Sequence, residues 1–588
     1  MIRYLVLFFV ISNSTLFADL REVFLGDQEV EFYMDGVPKP IVIEKNNPAS
    51  GYYYVGTHDI HGDYLFDFPN TDPIVMVFDN YGTAVYFDKP IENPRPRDFI
   101  SEFKFLNDSI IVFHNLNDGT FWLHDQNMLF LRKVRMDYFF TDMHGIQMDE
   151  EGNFYMMSYP YISMDISDVY EDVDEQALVF GAHVQILGPD NKPIFNWSSF
   201  DHLGIDEIPD YMVPKLVQNP EYFDYCHINT IDIVSDTSIL ISLRNMNDLI
   251  WIDTEDGSIL HRMGLSKKNE FEFTSKVDGE IPEFYQQHDS RMIDDTTLTV
   301  LDNGTFGPND YSRVCIYDVD FENKIAELVK VYRNKPDIFG QIMANAQTLE
   351  NDNIVTGWGS GTPGITEFHA DGSIESMIWI EGASYRAYKF DKMPTCLTSD
   401  KEQLDFIRDG ENDILSNGII VKNNYHQDLT INQIELNTQN FTLDTELPIE
   451  IKQGEEFRFT FSFQGKKIGE YEDIATLSAN FGNKRIATQV KLNAQSKVVS
   501  VNSKNEIQAI YPNPVQDIIN LKFNNNFTQD IKIEIYSIRG DLVFQEHLGI
   551  QSAGLKSKLI NTSNLPSGFY LLVIEGEISK EEFKFIKQ

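Results

Sequence analysis

The sequence predicts an all-β chain: a six-bladed β-propeller, then an immunoglobulin-like β-sandwich, then a small C-terminal β-sandwich. Three observations point there. Aromatic residues make up 13% of the 588 positions and β-branched residues are plentiful, enough for a large β core. Asp-Gly and Asn-Gly turns flanked by alternating apolar residues recur along residues 50 to 392, as in Ile252-Asp-Thr-Glu-Asp-Gly257 and Phe368-His-Ala-Asp-Gly372, and these are hairpin signals. Strand-turn-strand units recur at irregular intervals of roughly 40–80 residues, which fits four-stranded propeller blades. Their starts fall near residues 52, 101, 144, 227, 288 and 346, with insertions around 160–180 and 200–225. A two-sheet sandwich with long loops is the plainer alternative.

The segments follow in order. Residues 1–18 read as a secretory signal peptide, with Arg3 in the positive region, Tyr4 to Ile11 as the apolar run and Ala18 at the cleavage point. That run is too short to span a bilayer as a helix, and no later stretch is long enough, so no membrane span is expected in the mature protein. Residues 19–50 form an N-terminal segment and 51–393 the propeller. Residues 394–500 change to short alternating strands; Phe457-Arg-Phe-Thr-Phe-Ser-Phe463 alternates strictly, so one face is buried. About a hundred residues of this kind fit an immunoglobulin-like sandwich. Residues 501–507 are a polar linker, and 508–588 the small terminal sandwich.

Composition excludes some functions. Lys+Arg 47 against Asp+Glu 91 gives a net charge of -44, which argues against nucleic acid and anionic membrane surfaces as partners. The three cysteines, Cys226, Cys315 and Cys396, allow at most one internal disulfide and show no zinc spacing; they read as small buried hydrophobes.

The candidate site rests on three histidines. His144, His227 and His288 each open a similar unit: a histidine, a short apolar strand, an acidic turn and a second strand. Matching repeat positions in a propeller bring such residues together at the central channel. A three-histidine zinc site is one reading of the set. Arg244, beside His227 in the repeat, would be repelled by a metal, so no metal or cofactor is expected. His58-Asp-Ile-His61 reads as a turn pair rather than a metal pair. Asp168-Val-Tyr-Glu-Asp-Val-Asp174 reads as a solvated acidic loop rather than a calcium site. Gly357-Trp-Gly-Ser-Gly-Thr-Pro-Gly364 has no following helix and so is no nucleotide fingerprint; it reads as a loop over the channel mouth.

Three motifs at the end of the chain, Ile510-Tyr-Pro-Asn-Pro-Val515, Ile535-Tyr-Ser-Ile-Arg-Gly540 and Leu565-Pro-Ser-Gly-Phe-Tyr-Leu571, resemble the C-terminal sorting domain of the type IX secretion system of Bacteroidota. The resemblance implies passage through the periplasm, handling by the type IX machinery, and release or surface attachment.

Residues 50–392 resemble the bacterial arylsulfate sulfotransferases, which are six-bladed propellers. The resemblance is carried by Cys226-His-Ile-Asn229, Ile239-Leu-Ile-Ser-Leu-Arg244, Leu249-Ile-Trp-Ile-Asp253, Phe284-Tyr-Gln-Gln-His-Asp289, Leu301-Asp-Asn-Gly304 and Thr356-Gly-Trp-Gly359. It implies transfer of a sulfuryl group from a phenolic sulfate ester to a phenolic acceptor, without a nucleotide donor. It implies His288 as the nucleophile that becomes sulfohistidine, His227 and Arg244 as a sulfate-binding pair, His144 as a third sulfate contact, and Asn229 as a polar substrate-binding position. The chain departs from the family in lacking a cysteine pair shortly before the nucleophile, in its short N-terminal segment, and in reading Leu-Arg-Asn around Arg244.

The chemistry of the residues is consistent with that implication. Sulfuryl transfer, like phosphoryl transfer, should pass through a loose state with charge spread over the equatorial oxygens. Fixed donors around those oxygens supply most of the help, and arginine offers a planar fork. A nucleophilic histidine must be neutral, and nearby cations depress its pKa. The alternatives are a non-catalytic surface propeller that binds a ligand, and a sulfate ester hydrolase in which water replaces the phenol.

Overall fold

A computed structural model describes residues 22–588, apart from 27, 34–35, 59–72, 92–99, 171–172, 361–363, 382, 410–412, 466, 498–505, 526–527 and 577–579. The signal peptide, His61 of the His58–His61 pair and most of the linker therefore lie outside the described residues, as do parts of the acidic loop and the glycine-rich loop.

The described chain is all-β, with many antiparallel sheets. Six of these sheets hold the region of interest. The first comprises Ile100–Phe105, Ile110–Asn115, Thr120–Asp125 and Phe130–Val134; the second Ile146–Met148, Phe154–Ser158, His183–Leu187 and Pro193–Ser198. The third is Ile228–Ser235, Ser238–Leu243, Asp248–Asp253 and Ile259–Gly264. The fourth is His288–Met292, Thr297–Asp302, Arg313–Asp320 and Ile325–Tyr332, with Glu272–Ser275 added on its edge. The fifth is Asn345–Thr348, Ile354–Gly357, Gly364–Phe368 and Ile374–Trp379, with Ile41–Lys45 on its edge.

The sixth sheet differs from the sequence expectation. Its first strand does not come from the unit that starts near residue 52. Ala383–Phe390 pairs with Tyr52–His58, which pairs in turn with Ile74–Asp79 and Ala84–Asp88. Strands from the two ends of a 340-residue stretch thus share one sheet, so local repeat counting misassigns its first strand.

Strands here read as continuous apolar runs because both faces of a sheet are covered. Ile74–Asp79, Ile-Val-Met-Val-Phe-Asp, is buried at every position. Successive sheets share apolar clusters: Met157, Val184 and Ile186 with Ile231, Ile239 and Ile241; Leu240 and Trp251 with Leu298, Val300 and Tyr317. The insertions form their own small sheet, Tyr161–Met164, Ala177–Phe180 and Tyr222–Asp224, with short helical turns at Ser199–His202, Ile205–Glu207 and Val213–Leu216.

Residues 397–496 add short strands and a long hairpin, Gly469–Phe481 with Lys484–Ser496. The Phe457–Phe463 alternation buries Phe459, Phe461 and Phe463 and leaves Thr460 and Ser462 between them half-buried. This region is hydrogen-bonded to the preceding one. Lys484–Ser496 pairs with Ala84–Asp88, so the sixth sheet runs on into this region. The last strands, from Glu506 to Lys587, form two sheets around a separate apolar cluster that includes Val515, Leu521, Ile533 and Leu572. All three cysteines are buried and free. No helix among the described residues is long and apolar enough to cross a membrane.

Candidate functional site

The three histidines stand where the chain turns into the first strands of the second, third and fourth sheets. Local side-chain hooks set two of them. The His144 N–H donates to Asp142 Oδ1 at 2.8 Å, and the His227 N–H to Asp224 Oδ1 at 3.1 Å. These are Asp-led turns that hold the backbone just before a strand begins. Several of these residues adopt left-handed backbone without being glycine: His227 (φ 51°), Gln286 (φ 54°), Asp289 (φ 44°) and Ala344 (φ 86°). Such conformations are costly and gather at functional sites. Register shifts follow at Ile228/Thr230 and His288/Arg291, where a bulge re-aims side chains.

The histidines converge. The His144 ring centre is 5.4 Å from that of His227 and 6.3 Å from that of His288. Arg244 joins them because its N–H donates to the His227 carbonyl at 2.9 Å, directly after the strand Ser238–Leu243. Its Nη1 donates to Asn245 Oδ1 at 3.3 Å, while its Nε is buried with no hydrogen-bond partner. Burial lowers its pKa to about 10, so it keeps its charge at neutral pH.

The partners of the three rings differ in kind. His144 Nδ1 contacts Asp142 Oδ1, and His227 Nδ1 lies 2.7 Å from Asp224 Oδ2. Both Nδ1 atoms therefore face carboxylates. His288 Nδ1 instead lies 2.7 Å from Asn303 Oδ1. The orientation of that amide is set by its other end: Asn303 Nδ2 donates to the Gly340 carbonyl at 2.6 Å and to the Met343 carbonyl at 3.2 Å. Its oxygen must then accept, so the proton of a neutral His288 sits on Nδ1 and the lone pair on Nε2. Burial, then Arg244 and His144, push the His288 pKa well below its usual value. Burial also lowers that of His227, against the opposing pull of Asp224.

Asn229 is fully buried and its amide is occupied: Nδ2 donates to the Gln287 carbonyl at 2.7 Å, tying the third sheet to the residue before His288. That bond braces the segment that carries His288. Several residues at the site carry no signal in the sequence reading. The Tyr159 ring lies 5.8 Å from His144 and 5.4 Å from His227, and its hydroxyl donates to the Ile228 carbonyl. The Tyr385 ring is 5.5 Å from His144. Asp142 and Asp224, two and three residues before their histidines, likewise emerge only from their contacts. Asn303 lies within the quoted Leu301–Gly304 motif, but its role emerges only from its contacts.

Beside these rings lies a buried ion cluster. Arg386 Nη1 donates to Glu102 Oε1 at 2.7 Å and Nη2 to the Asn229 carbonyl at 2.9 Å, and Asp289 Oδ1 is 3.6 Å from Nη1. Among the described residues no group of three or more His, Cys, Asp or Glu side chains is arranged to hold a metal ion.

Comparisons with known proteins agree with the two resemblances. Residues 111–380 match the family model of the arylsulfotransferases (ASST), and residues 509–588 match that of the secretion system C-terminal sorting domain. These matches support a sulfotransferase domain and a type IX sorting domain, and the latter indicates export to the cell surface or the medium. No curated protein matches. Among solved structures, PorZ, a surface component of the type IX secretion system of Porphyromonas gingivalis, is 10% identical, with 88% of this chain and 68% of that chain covered and a TM-score of 0.24. The YadV chaperone is 9% identical, covering 32% of this chain and 99% of that one, with a TM-score of 0.14. Scores this low carry no argument about fold or function.

Proposed function

We propose that residues 51–393 are a six-bladed propeller enzyme that moves a sulfuryl group from a phenolic sulfate ester to a phenolic acceptor through a sulfohistidine at His288, without a nucleotide donor. The blade layout is supported by a cycle of hydrogen bonds through the six sheets. Ser101 Oγ donates to the Met143 carbonyl (2.9 Å), Gln147 to Asp232 (2.9 Å) and Asn229 to the Gln287 carbonyl (2.7 Å). The Ala346 N–H donates to Asp289 (3.0 Å), Asn345 to the Ala387 carbonyl (2.8 Å), and Arg386 to Glu102, which returns to the first sheet. The sixth sheet, built from both ends of the stretch, would close the ring.

The observation that carries the mechanism is the difference in partners. A nucleophile needs a neutral ring with its lone pair aimed outward, and His288 on a neutral amide has that. His144 and His227 each set Nδ1 against a carboxylate, which leaves Nε2 as the ring nitrogen free to meet an incoming sulfuryl group. The unpartnered Nε of Arg244 supplies a fixed positive donor for its oxygens. In the first half-reaction His288 Nε2 attacks sulfur, the S–O bond breaks, and the phenolate leaves with that electron pair. In the second a phenol attacks sulfur, the N–S bond breaks, and its pair returns to Nε2. The phenolate takes up one proton and the acceptor loses one, so the exchange is balanced. The sorting domain places this chemistry outside the cell, with the type IX machinery as a transport partner.

The test is to mix purified protein with a phenolic sulfate and no acceptor, quench in alkali, and map the adduct by mass spectrometry. One sulfuryl group on the peptide containing His288, discharged by added phenol, is expected. Steady sulfate release without acceptor would make the protein a hydrolase; tight binding with neither adduct nor turnover would make it a binding module.

A further inference from the structure

The insertion that precedes the third sheet sets a tyrosine against the segments that carry Arg244 and His288. Tyr211 has a partly exposed ring but a buried hydroxyl with no hydrogen-bond partner. A phenol that reaches inward from the surface and finds no partner is costly unless a ligand supplies one. The segment is anchored, not loose. Glu207 Oε2 accepts from Arg262 Nη1 at 2.6 Å, and the Lys267 N–H donates to the Glu207 carbonyl at 2.8 Å. The neighbouring Met212 is buried, with its sulfur 3.4 Å from Gln286 Nε2. That same Nε2 donates to the Arg244 carbonyl at 2.8 Å. The Tyr211 ring lies 5.8 Å from that of Tyr285, three residues before His288. Tyr211 is therefore fixed against the two segments that carry Arg244 and His288.

The other tyrosines of the site are placed differently. Tyr159 has spent its hydroxyl on the Ile228 carbonyl. Tyr385 belongs to the strand Ala383–Phe390 and packs among Met143, Ile342 and Met343; its hydroxyl also lacks a partner, but the whole side chain is buried and offers no surface side for an aryl group to enter. Tyr211 alone of the three reaches the site from an insertion with one side at the surface, where an aryl group has to enter.

We propose that Tyr211 is a catalytic residue that donates a hydrogen bond to the bridging phenolic oxygen of the ester, the atom on which charge appears as the S–O bond breaks. This rests on the sulfuryl-transfer reading above. In-line displacement puts the leaving oxygen on the side of sulfur away from His288, and His144, His227 and Arg244 serve the other oxygens. Burial raises the Tyr211 pKa, so the hydroxyl keeps its proton and acts as a donor, not an acid that ionises. The phenolate collects its proton from solvent on release, and the Tyr211 hydroxyl serves the attacking oxygen of the acceptor in the reverse sense.

The test compares wild type with Tyr211→Phe on a series of phenyl sulfates whose phenols span a range of acidity, reading kcat/KM for adduct formation. A donor to the bridging oxygen matters most when that oxygen is basic. Tyr211→Phe should lose about 10–100-fold on esters of weakly acidic phenols and little on a nitrophenyl ester, with an unchanged melting temperature. An equal loss on every ester, or none, would overturn the assignment. A wild-type enzyme that forms no adduct with any ester would instead overturn the sulfuryl-transfer reading on which it rests.

Discussion

Arg485 Nε donates to the Ala84 carbonyl at 2.6 Å, joining the hairpin near residue 485 to a strand 400 residues earlier. The guanidinium is fully buried, and its Nη2 pairs with Glu435. Lys484 adds an ion pair to Asp88 at 2.7 Å, and Gln489 donates to Asp79 at 2.7 Å. Apolar residues continue the seam: Tyr86 and Phe105 share a cluster with Phe406, Leu477 and Ile486.

This seam predicts that the region after residue 393 is part of the stability of what precedes it. A chain ending at 393 would bare one edge of Ala84–Asp88 and leave Asp88 buried without its lysine, a costly group once unpaired. It should melt well over about 4 °C below a chain ending at residue 500, or aggregate. Calorimetry on the two chains decides it; equal melting temperatures would make the region an independent domain.

A second prediction tests the partner of the nucleophile. Asn303→Asp would place a carboxylate on His288 Nδ1 and raise its pKa, moving the acid limb of the rate profile upward and lowering the rate at neutral pH. Asn303→Leu would remove the tautomer control and reduce adduct formation by about 10–100-fold, the range for losing a supporting partner. His288→Ala should abolish transfer, and Arg244→Ala should reduce it by about 10²–10³-fold. An Asn303→Asp profile that overlays the wild type would exclude Asn303 as the setter of that proton.

The sequence shows the histidines because they recur at matching places in a local pattern, and strands begin at or within two residues of each: Ile146, Ile228 and His288. Local pattern also explains the Phe457–Phe463 strand, which buries the face its alternation marks. It fails where pairing is remote. Nothing near Tyr52 announces Phe390 as its partner, and nothing near residue 393 announces that Lys484–Ser496 extends the sixth sheet. The contacts of Asn229 were hidden for a related reason. A polar residue beside a site histidine looks like a ligand contact until its amide is found on the Gln287 carbonyl.

Acid should destabilise the fold through its buried histidines. Burial pushes His114 and His124 down to about 4, and lowers His227 and His288 as well. Each binds a proton more readily unfolded than folded, so stability is intact above the ordinary histidine pKa of about 6.5 and falls as pH drops toward the depressed value. Every such group steepens the fall by about 1.4 kcal/mol per pH unit within that window. Denaturant melts of His124→Gln and wild type should therefore converge as pH falls from 7 to 5. Parallel curves would mean that His124 titrates normally.

The C-terminal segment should be dispensable for chemistry and required for export. Its apolar cluster is drawn only from residues 510 onward, so its core does not depend on the rest of the chain. The candidate site residues lie between Asp142 and Tyr385, and the seam at Arg485 lies before residue 500. A chain ending at 500 keeps both. Purified, it should transfer sulfuryl groups at nearly the full-length rate. Expressed in its host, it should accumulate in the periplasm, because the sorting domain that residues 509–588 match is gone. Fractionation with an activity assay separates the outcomes. Arrival of the shortened chain at the cell surface would show that another signal exports it, and a folded but inactive chain would show that the tail supports the site.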